Sequence, residues 1–502
     1  MFKIFRPPKL SRSLGLGLGF AASAMMTTSI LCDSIPITRK ITVDELQKHK
    51  STDSTWVAIN RKVYDLTDFL QKHPGGSAII MKFAGKDASK LFNHLHPIYV
   101  LDQYLEPENY LGELEGEFAT EPKAKSEGGV PPLSRVFNLH DFEFISKKVL
   151  TPETWAYYSG GSDDEITMRD NHSAFARIFF NPKVLVDVRN VDISTEMMGI
   201  ETDAPFYLTA VAMAQMGHPD GELSVARACK EENVIQMISS TSSYHFDDIT
   251  KETTMSKWFQ LYVQPDRSHS HQMLKKCENQ NVKAVFVTVD TPVLGFREKD
   301  FRLRYADVED DDTTEQFDPI KDYQDPGITW ADIDDFKSRT NLPVAIKGVQ
   351  RVEDVLLAID HKVDAVVLSN HGGRQLEYSK PPIEVLADVM PILKERKLDD
   401  KIDIFIDGGV KRGTDVVKAL CLGAKGVGIG RPYIYANSAY GERGVRKAIQ
   451  LLKNEVILTM KLLGVTKLED LNEDLIDTRN LKNRRFHNDV HNDIYEPLTF
   501  PK

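Results

Sequence analysis

The chain has 502 residues, a net charge of -11 and 41% apolar residues, which suits several soluble globular domains. The acidic balance argues against nucleic acid as a partner and favours a basic protein partner. The four cysteines are scattered without a CxxC pair, so neither a disulfide framework nor a cysteine-based metal site is indicated.

Residues 1–36 have the pattern of a targeting leader. Residues 1–12 are basic and acid-free, and residues 14–31 carry no charge. A basic segment followed by an apolar one is typical of mitochondrial import with a sorting signal. We therefore expect removal of the leader, delivery to the mitochondrial intermembrane space and no stable membrane insertion of the mature protein. A membrane anchor and a secretory signal are the alternatives.

Residues 37–112 are predicted to form a small α+β domain, with strand-like runs at 56–59 and 62–66. The segment contains an HPGG motif that begins at His73, and His96 follows further along. Two histidines on opposite faces of a haem would give a six-coordinate iron that transfers electrons without an open oxygen site. His94 is an alternative second ligand.

The sequence YDLTDFLQKHPGG at residues 64–76 makes this segment resemble the cytochrome b5 domain over its whole length. The resemblance implies that His73 and His96 are the axial ligands of a b-type haem.

Residues 113–132, rich in Glu, Lys, Gly, Ser and Pro, cannot bury enough apolar surface to order themselves. We expect a flexible linker there, which would keep the haem domain beside the next domain at high effective concentration.

Residues 133–480 contain eight apolar runs separated by helical stretches, which favours a closed parallel (β/α)8 TIM barrel over an open sheet. An acidic run at 307–318 is expected to be a solvated loop, and the tail at 481–502 could wrap a neighbouring subunit. In chain order the apolar runs are residues 206–212, 235–240, 258–263, 284–290, 343–347, 365–369, 402–407 and 426–430.

Polar residues cluster where these runs end, at the barrel edge that carries chemistry. The sequence SNHGGRQLE at 369–377 places His371, which can take a proton near neutral pH, close to Arg374, which can hold a carboxylate. Taken alone, this motif is equally consistent with a polar turn. The other runs also end in polar groups, which strengthens the prediction of a site: Gln260, Tyr262, Thr288, Asp290, Lys347 and Asp407.

Two glycine-rich stretches, DGGVKRG at 407–413 and GIGRP at 428–432, follow the last two predicted strands. Barrels commonly bind phosphate at this position through backbone N–H groups. Lys411 and Arg431 would complete such a cradle. The pair of stretches predicts a phosphorylated cofactor.

Seven motifs together resemble the FMN-dependent 2-hydroxy-acid dehydrogenases and oxidases, and the resemblance covers essentially the whole barrel domain. They are WAYYSG at 155–160, QLYV at 260–263, VTVDTPVLGFRE at 287–298, IKGVQ at 346–350, SNHGGRQLE, DGGVKRGTDV and GIGRP.

This resemblance implies a role for each residue at the site. His371 would be the base, with Asp290 stabilising its imidazolium form, and Tyr262 would contact the substrate hydroxyl. Arg374 would bind the substrate carboxylate with Tyr157 assisting, and Arg297 would approach the site as a second anion-binding group. The residues expected around FMN are Ala210, Ala212, Ser239, Gln260, Thr288, Lys347 at the flavin N1/C2 edge, Asp407, Gly408, Gly409, Lys411, Gly430 and Arg431.

The two resemblances together imply oxidation of an L-2-hydroxy acid, with L-lactate as the expected substrate and pyruvate as the product. Electrons would pass from FMN through haem to cytochrome c, and relatives are commonly homotetramers. The alternatives are a dehydrogenase for another 2-hydroxy acid and a haem electron carrier whose barrel is only a scaffold.

Three positions depart from the family pattern. Lys411 stands where the family usually has Arg, which keeps the charge but loses the bidentate fork. Val211 replaces a small polar residue. Thr241 stands where lactate-oxidising relatives carry an apolar residue against the substrate methyl.

Overall fold

The computed structural model describes residues 39–73, 76–97, 99–116, 129–304 and 324–484. The predicted leader, residues 117–128 of the predicted linker, the acidic run and all but the first four residues of the tail lie outside these ranges. Lys40–Lys502 belongs to one compact unit. Within the described ranges, no helix has both the length and the apolar character needed to cross a bilayer.

The N-terminal domain is a five-stranded sheet with four short helices. Its strand order is β1-β5-β4-β3-β2, with β1 and β5 parallel and the remaining neighbours antiparallel. The elements are β1 (Lys40–Thr42), α1 (Val43–Leu46), β2 (Lys50–Ser51), β3 (Ser54–Ile59), β4 (Lys62–Asp65), α2 (Ser77–Lys82), α3 (Ser89–Leu95), α4 (Val100–Tyr104) and β5 (Tyr110–Glu115).

The last strand of this domain extends beyond the predicted boundary at residue 112. Residues 113–115 of β5 pair with β1, and the Leu114 side chain is buried. The domain therefore ends at Glu115, because pairing on the sheet outweighs the polar composition of this stretch. Asn60 and Arg61 both have positive φ and form the two-residue turn between β3 and β4.

The second domain is built around eight parallel strands. It begins with α5 (Leu139–Val149), α6 (Pro152–Ser159), α7 (Ile166–Ser173), β6 (Phe179–Phe180), β7 (Thr195–Met197) and β8 (Ile200–Thr202). The barrel then comprises β9 (Phe206–Leu208), α8 (Gly221–Glu231), β10 (Met237–Ser239), α9 (Phe246–Glu252), β11 (Lys257–Leu261), α10 (Arg267–Asn279), β12 (Val282–Thr288), α11 (Glu298–Arg304), α12 (Trp330–Arg339), β13 (Val344–Val349), α13 (Val352–Asp360), β14 (Ala365–Leu368), α14 (Pro382–Arg396), β15 (Asp403–Asp407), α15 (Gly413–Cys421), β16 (Gly426–Ile429) and α16 (Arg431–Leu463). After the barrel, β17 (Ile476–Asp477) pairs with β6.

The barrel closes between its first two strands. The sheet order runs from β10 through β16 to β9, and a parallel bridge joins Leu208 of β9 to Gln236 just before β10. The Leu208 N–H donates to the Ile235 carbonyl at 2.9 Å. The predicted (β/α)8 barrel is therefore confirmed, and all eight strands lie within two residues of the predicted starts.

Aromatic side chains fill the barrel interior below the polar rim. Trp258 lies fully buried against Tyr207 and Phe286, with ring centroids 4.9 Å apart in each pair. Phe405 completes the group at 5.5 Å from Trp258. Gly426 makes room beside them, since a Cβ there would come within 2.3 Å of a Met197 sulfur. This layer supports the rim from below.

We expect Trp258→Ala to lower the free energy of unfolding by about 3–5 kcal/mol, because it leaves a cavity under the rim. Trp258→Phe should cost less, since it keeps a ring and removes an indole N–H that has no partner in the described structure. Urea unfolding followed by circular dichroism measures both. Equal midpoints for wild type and Trp258→Ala would show that this layer does not support the fold.

Candidate active site and haem slot

The predicted site residues of both domains meet around one continuous cavity of about 830 Å³. Asp290 alone among them does not line it, because it lies behind His371 and reaches the cavity through that ring. The lining includes Tyr157, Ala210, Ala212, Ser239, Gln260, Tyr262, Thr288, Arg297, Lys347, His371, Arg374, Asp407, Gly408, Gly409, Lys411, Gly430 and Arg431, together with His73 and His96.

His371 and Asp290 form a buried pair at the rim. The His371 Nδ1 lies 3.0 Å from the Asp290 Oδ1, and the Asp290 side chain is 3% exposed. Burial alone would raise the pKa of Asp290, but His371 and Lys347 hold it below its usual value. An ionised carboxylate can only accept a hydrogen bond, so Nδ1 carries the proton and Nε2 presents a lone pair to the cavity.

The same surroundings keep His371 neutral and ready to act as a base. Burial lowers the pKa of His371, and Asp290 opposes this shift only in part. The Tyr262 hydroxyl lies 3.3 Å from Nε2, so it reaches the same point in the cavity. His371 has a positive φ of 57°, a backbone conformation that is uncommon for a residue with a side chain. Gly348 (φ 112°) also matters, because a Cβ there would come within 2.5 Å of Asp290.

Lys347 is a buried cation held beside Asp407. Its Nζ lies 3.4 Å from the Asp407 Oδ2 and donates to the Ser369 hydroxyl at 3.3 Å. Burial would lower the pKa of Lys347, but Asp407 and Asp290 raise it above its usual value, so the group stays charged. A fixed positive charge at this position can stabilise negative charge that develops on a bound ring.

Ser369 is a site residue that the sequence reasoning missed. Its hydroxyl donates to the Asp407 Oδ1 at 2.5 Å and accepts from the His371 N–H at 3.0 Å. Ser369 therefore links the Lys347–Asp407 ion pair to the turn that carries His371. The signal was its place as the first residue of SNHGGRQLE, directly after β14.

One wall of the cavity is a row of hydroxyl and amide groups. The Gln260 Nε2 donates to the Thr288 hydroxyl at 2.9 Å, and the Ser239 hydroxyl lies 3.4 Å from the Gln260 Oε1. All three side chains are buried. Such a row, which ends beside the Lys347 cation on the next strand, fits the hydrogen-bonding edge of a flavin ring. The residues present therefore fit FMN.

Two arginines lie close together in the wall of the cavity. Arg374 donates through Nη1 to the carbonyls of Tyr157 and Gly160, at 2.7 and 3.1 Å, and lies over the Tyr157 ring. The Arg297 Nε is buried without a hydrogen-bond partner among the described residues. Burial and the Arg374 charge lower the pKa of Arg297 to about 10. A bound carboxylate would relieve this repulsion, so the pair forms an anion site.

At the predicted phosphate end, the basic side chains have partners in the protein. The Lys411 Nζ forms an ion pair with the Glu143 Oε2 at 2.8 Å. Arg431 donates to the carbonyls of Tyr158, Gly160 and Gly372 at 2.8 to 3.0 Å. Arg431 thus fastens α6 to the turn after β14. Its contact with phosphate, and that of Lys411, remain predictions.

The glycines at this end are required by close packing. Gly409 has a positive φ of 84°, and a Cβ there would lie 2.2 Å from the Asn171 carbonyl oxygen. The Gly409 carbonyl accepts from the His172 ring at 2.8 Å, which ties this loop to α7. Gly408 is also in the left-handed region. The turn after β15 can therefore present its backbone to the cavity.

The N-terminal domain contributes an apolar slot with two facing imidazoles. The rings of His73 and His96 lie 6.0 Å apart between centroids. An imidazole nitrogen lies roughly 2 Å from a bound metal, so two axial ligands place their ring centres on the order of 6 Å apart. The His73 Nδ1 lies 3.1 Å from the Gly76 carbonyl, so a haem iron would be held through Nε2. The side chain of His94 lies outside the described part of the structure.

The walls of this slot are apolar, as a porphyrin requires, and include Val57, Ile59, Leu66, Ile80 and Leu101. The residues present therefore fit a haem. Within the described ranges, no cluster of three or more His, Cys, Asp or Glu side chains could hold a separate metal ion. Cys229, Cys277 and Cys421 are buried, and burial raises the pKa of each thiol, so they are poor nucleophiles.

Both domains of the chain match known protein families. Residues 146–478 match the FMN-dependent dehydrogenase family, and residues 42–115 match the cytochrome b5-like heme/steroid binding domain. The second match ends at the last residue of β5.

Similar relatives carry both domains. The L-lactate dehydrogenase (cytochrome) of Wickerhamomyces anomalus is 51% identical over 89% of this chain and 81% of the relative. That of Saccharomyces cerevisiae is 48% identical over 92% of this chain and 84% of the relative. A solved mutant of flavocytochrome b2 with pyruvate bound is 50% identical, with a TM-score of 0.68 over 74% of this chain and 95% of that one.

The site geometry and these matches lead to the same conclusion. The chain belongs to the FMN-dependent dehydrogenase family, carries a cytochrome b5-like haem domain in front of its barrel, and is an oxidoreductase that uses FMN and haem b.

Proposed function

We propose that this protein oxidises L-lactate to pyruvate and passes the electrons through its haem to cytochrome c. The observation that carries the proposal is the buried His371–Asp290 pair, whose unprotonated Nε2 faces the same cavity as the two arginines. The relatives named L-lactate dehydrogenase (cytochrome) support the choice of substrate and acceptor.

The protein's own residues account for substrate binding and proton removal. Arg374 and Arg297 bind the substrate carboxylate by charge-assisted hydrogen bonds. His371 takes the proton at Nε2, and Asp290 stabilises the imidazolium that results. Tyr262 contacts the substrate hydroxyl close to that nitrogen. The base can act whether the proton leaves from carbon or from oxygen.

Charge at the rim favours removal of electrons from the substrate. Bound FMN supplies the two-electron acceptor, and haem supplies single-electron transfer. Lys347 remains cationic beside Asp407 and so stabilises negative charge at the adjacent wall. Because burial lowers the pKa of His371, the base stays neutral to a pH below its usual value near 6.5.

A second candidate substrate class rests on Thr241. Its hydroxyl lies 3.1 Å from the Ser239 hydroxyl, and the residue lines the cavity. A polar residue at this position, in place of an apolar one, reduces the preference for a substrate with a methyl group. Another 2-hydroxy acid, with a longer or polar side chain, is therefore the alternative. The scaffold alternative requires a dismantled site, whereas His371, Asp290, Lys347 and Arg374 are assembled.

Partners and location follow from charge and surface. The net charge of -11 would steer a basic acceptor such as cytochrome c.

An exposed apolar surface supports a homotetramer in which it would be buried. Its side chains are those of Val184, Leu185, Leu458 and Leu462. The two segments that carry them are joined by a hydrogen bond from the Lys183 N–H to the Leu463 carbonyl. Light scattering tests the subunit number.

The basic, acid-free leader supports a location in the mitochondrial intermembrane space. Subcellular fractionation tests this location.

We expect His371→Gln to keep both FMN and haem but to slow flavin reduction by L-lactate by roughly 10²–10⁴-fold, the usual contribution of a general base. Anaerobic stopped-flow absorbance measures it. The matched control is His361→Gln, which removes a different His–Asp pair, 2.9 Å from Asp334, outside the cavity. Flavin bleaching at a normal rate in His371→Gln would refute the base assignment.

A panel of 2-hydroxy acids with cytochrome c as acceptor separates the two substrate classes. We expect L-lactate to have the highest kcat/KM in the wild type. Thr241→Leu should raise kcat/KM for L-lactate and lower it for bulkier acids such as mandelate, because an isobutyl group fills the space beside a methyl. A wild type that prefers a bulkier acid to L-lactate would contradict the first choice.

We expect His73→Ala to leave flavin reduction intact and to stop cytochrome c reduction, because it removes one of the two imidazoles that would hold the haem iron. Absorbance of flavin and cytochrome c, recorded separately, tests this. His49→Ala is the control, since that ring stacks on Trp56 and does not line the slot. Sustained cytochrome c turnover in His73→Ala would show that electrons bypass the haem.

A further inference from the structure

One ring contact joins the two domains beside the haem slot. Tyr99, which precedes α4 of the haem domain, lies 4.6 Å from His245 of the barrel between ring centroids. His245 precedes α9 and is otherwise exposed. In addition, α3 lies next to the 3-10 turn Ala214–Met216 of the barrel. His96 immediately follows α3, so both contacts are close to a haem ligand.

Two barrel loops make these contacts, and we name residues 213–217 and 241–245 the docking loops. The first follows Ala210 and Ala212 after β9, and the second follows Ser239 after β10. Because Ala210, Ala212 and Ser239 line the cavity, each docking loop leads directly from the predicted flavin site to the haem domain.

The docking loops are joined to each other by hydrogen bonds. The Met213 N–H donates to the Thr241 carbonyl at 3.3 Å, and the Gln215 N–H donates to the Ser243 hydroxyl at 3.1 Å. A displacement of one loop would therefore move the other.

Glu222 of α8 holds both docking loops from inside the barrel domain. Its Oε1 accepts from the Ala214 N–H at 3.0 Å and from the Ser243 N–H at 2.9 Å. The side chain is buried, and its Oε2 has no hydrogen-bond partner in the described ranges. Burial raises the pKa of Tyr99, and the Glu222 charge adds to that shift, which places the carboxyl near the domain contact.

We propose that the docking loops form the platform on which the haem domain receives electrons, that Tyr99 and His245 make the contact, and that Glu222 is the positioning residue which holds the platform. The inference rests on the proposed function. It deepens that function by assigning the domain interface, since two cofactors exchange electrons only when the protein holds them close together.

The contact is tested by anaerobic stopped flow with L-lactate, in which flavin bleaching and haem reduction are followed at separate wavelengths. In His245→Ala and in Tyr99→Ala we expect flavin bleaching at the wild-type rate. Haem reduction should slow by roughly two- to tenfold, the range for loss of one aromatic contact. The double variant should be no slower than the slower single one, because both remove the same contact.

His269→Ala is the matched control, since it removes an exposed histidine from the first turn of α10. It should change neither rate. Unchanged haem reduction in both His245→Ala and Tyr99→Ala, with normal flavin bleaching, would overturn the inference. Absence of flavin bleaching in the wild type with every 2-hydroxy acid would instead overturn the proposed function.

The role of Glu222 is tested by comparing two substitutions. Glu222→Gln keeps an oxygen at Oε1 for both N–H donors, so haem reduction should stay within about twofold of wild type. Glu222→Ala removes the acceptor and should slow haem reduction several-fold while the haem absorption spectrum stays unchanged. Equal haem-reduction rates in the two variants would refute the positioning role. The His245 and Tyr99 variants remain decisive if Glu222→Ala does not fold.

Discussion

The buried hydrogen bond between His371 and Asp290 is the interaction on which the site depends. A carboxylate that is 3% exposed is costly unless hydrogen-bond donors and cations compensate for the loss of water. The Nδ1–H of His371 and the Lys347 cation supply that compensation, and the carboxylate in return fixes the tautomer of the base. The pair also constrains the backbone, since it needs a positive φ at His371 and no Cβ at Gly348.

Charge around the cavity is distributed unevenly, and this determines what can bind. Lys347 is balanced by Asp407, and Lys411 by Glu143. Arg374 directs its donors to carbonyls, and Arg297 lies beside it with a lowered pKa. The positive charge that no carboxylate in the described ranges balances is therefore carried by arginines in the cavity wall, and the Arg374–Arg297 pair is where a small carboxylate would bind. The other cations orient the polar walls.

The haem domain extends this arrangement into electron transfer. Its apolar slot and the barrel mouth belong to one cavity, and two loops that begin at the flavin wall end at the haem domain. Glu222 lies outside the cavity yet bonds to both loops. One buried carboxyl, Asp290, thus orients the His371 ring, and a second one, Glu222 on α8, holds the two loops beside the haem domain.

The sequence by itself determined the barrel and most of the residues at its rim, and the family resemblance predicted His73 and His96 as the haem ligands. Buried parallel strands appear as apolar runs, and the residues that end them necessarily meet at one edge. Only the tertiary structure decided which of these groups pair. Asp290 lies behind His371, Ser369 links Lys347 to Asp407, Glu143 neutralises Lys411, and Glu222 joins two loops. These contacts connect separate elements, so their partners depend on barrel closure and side-chain packing, which periodicity along the chain does not encode.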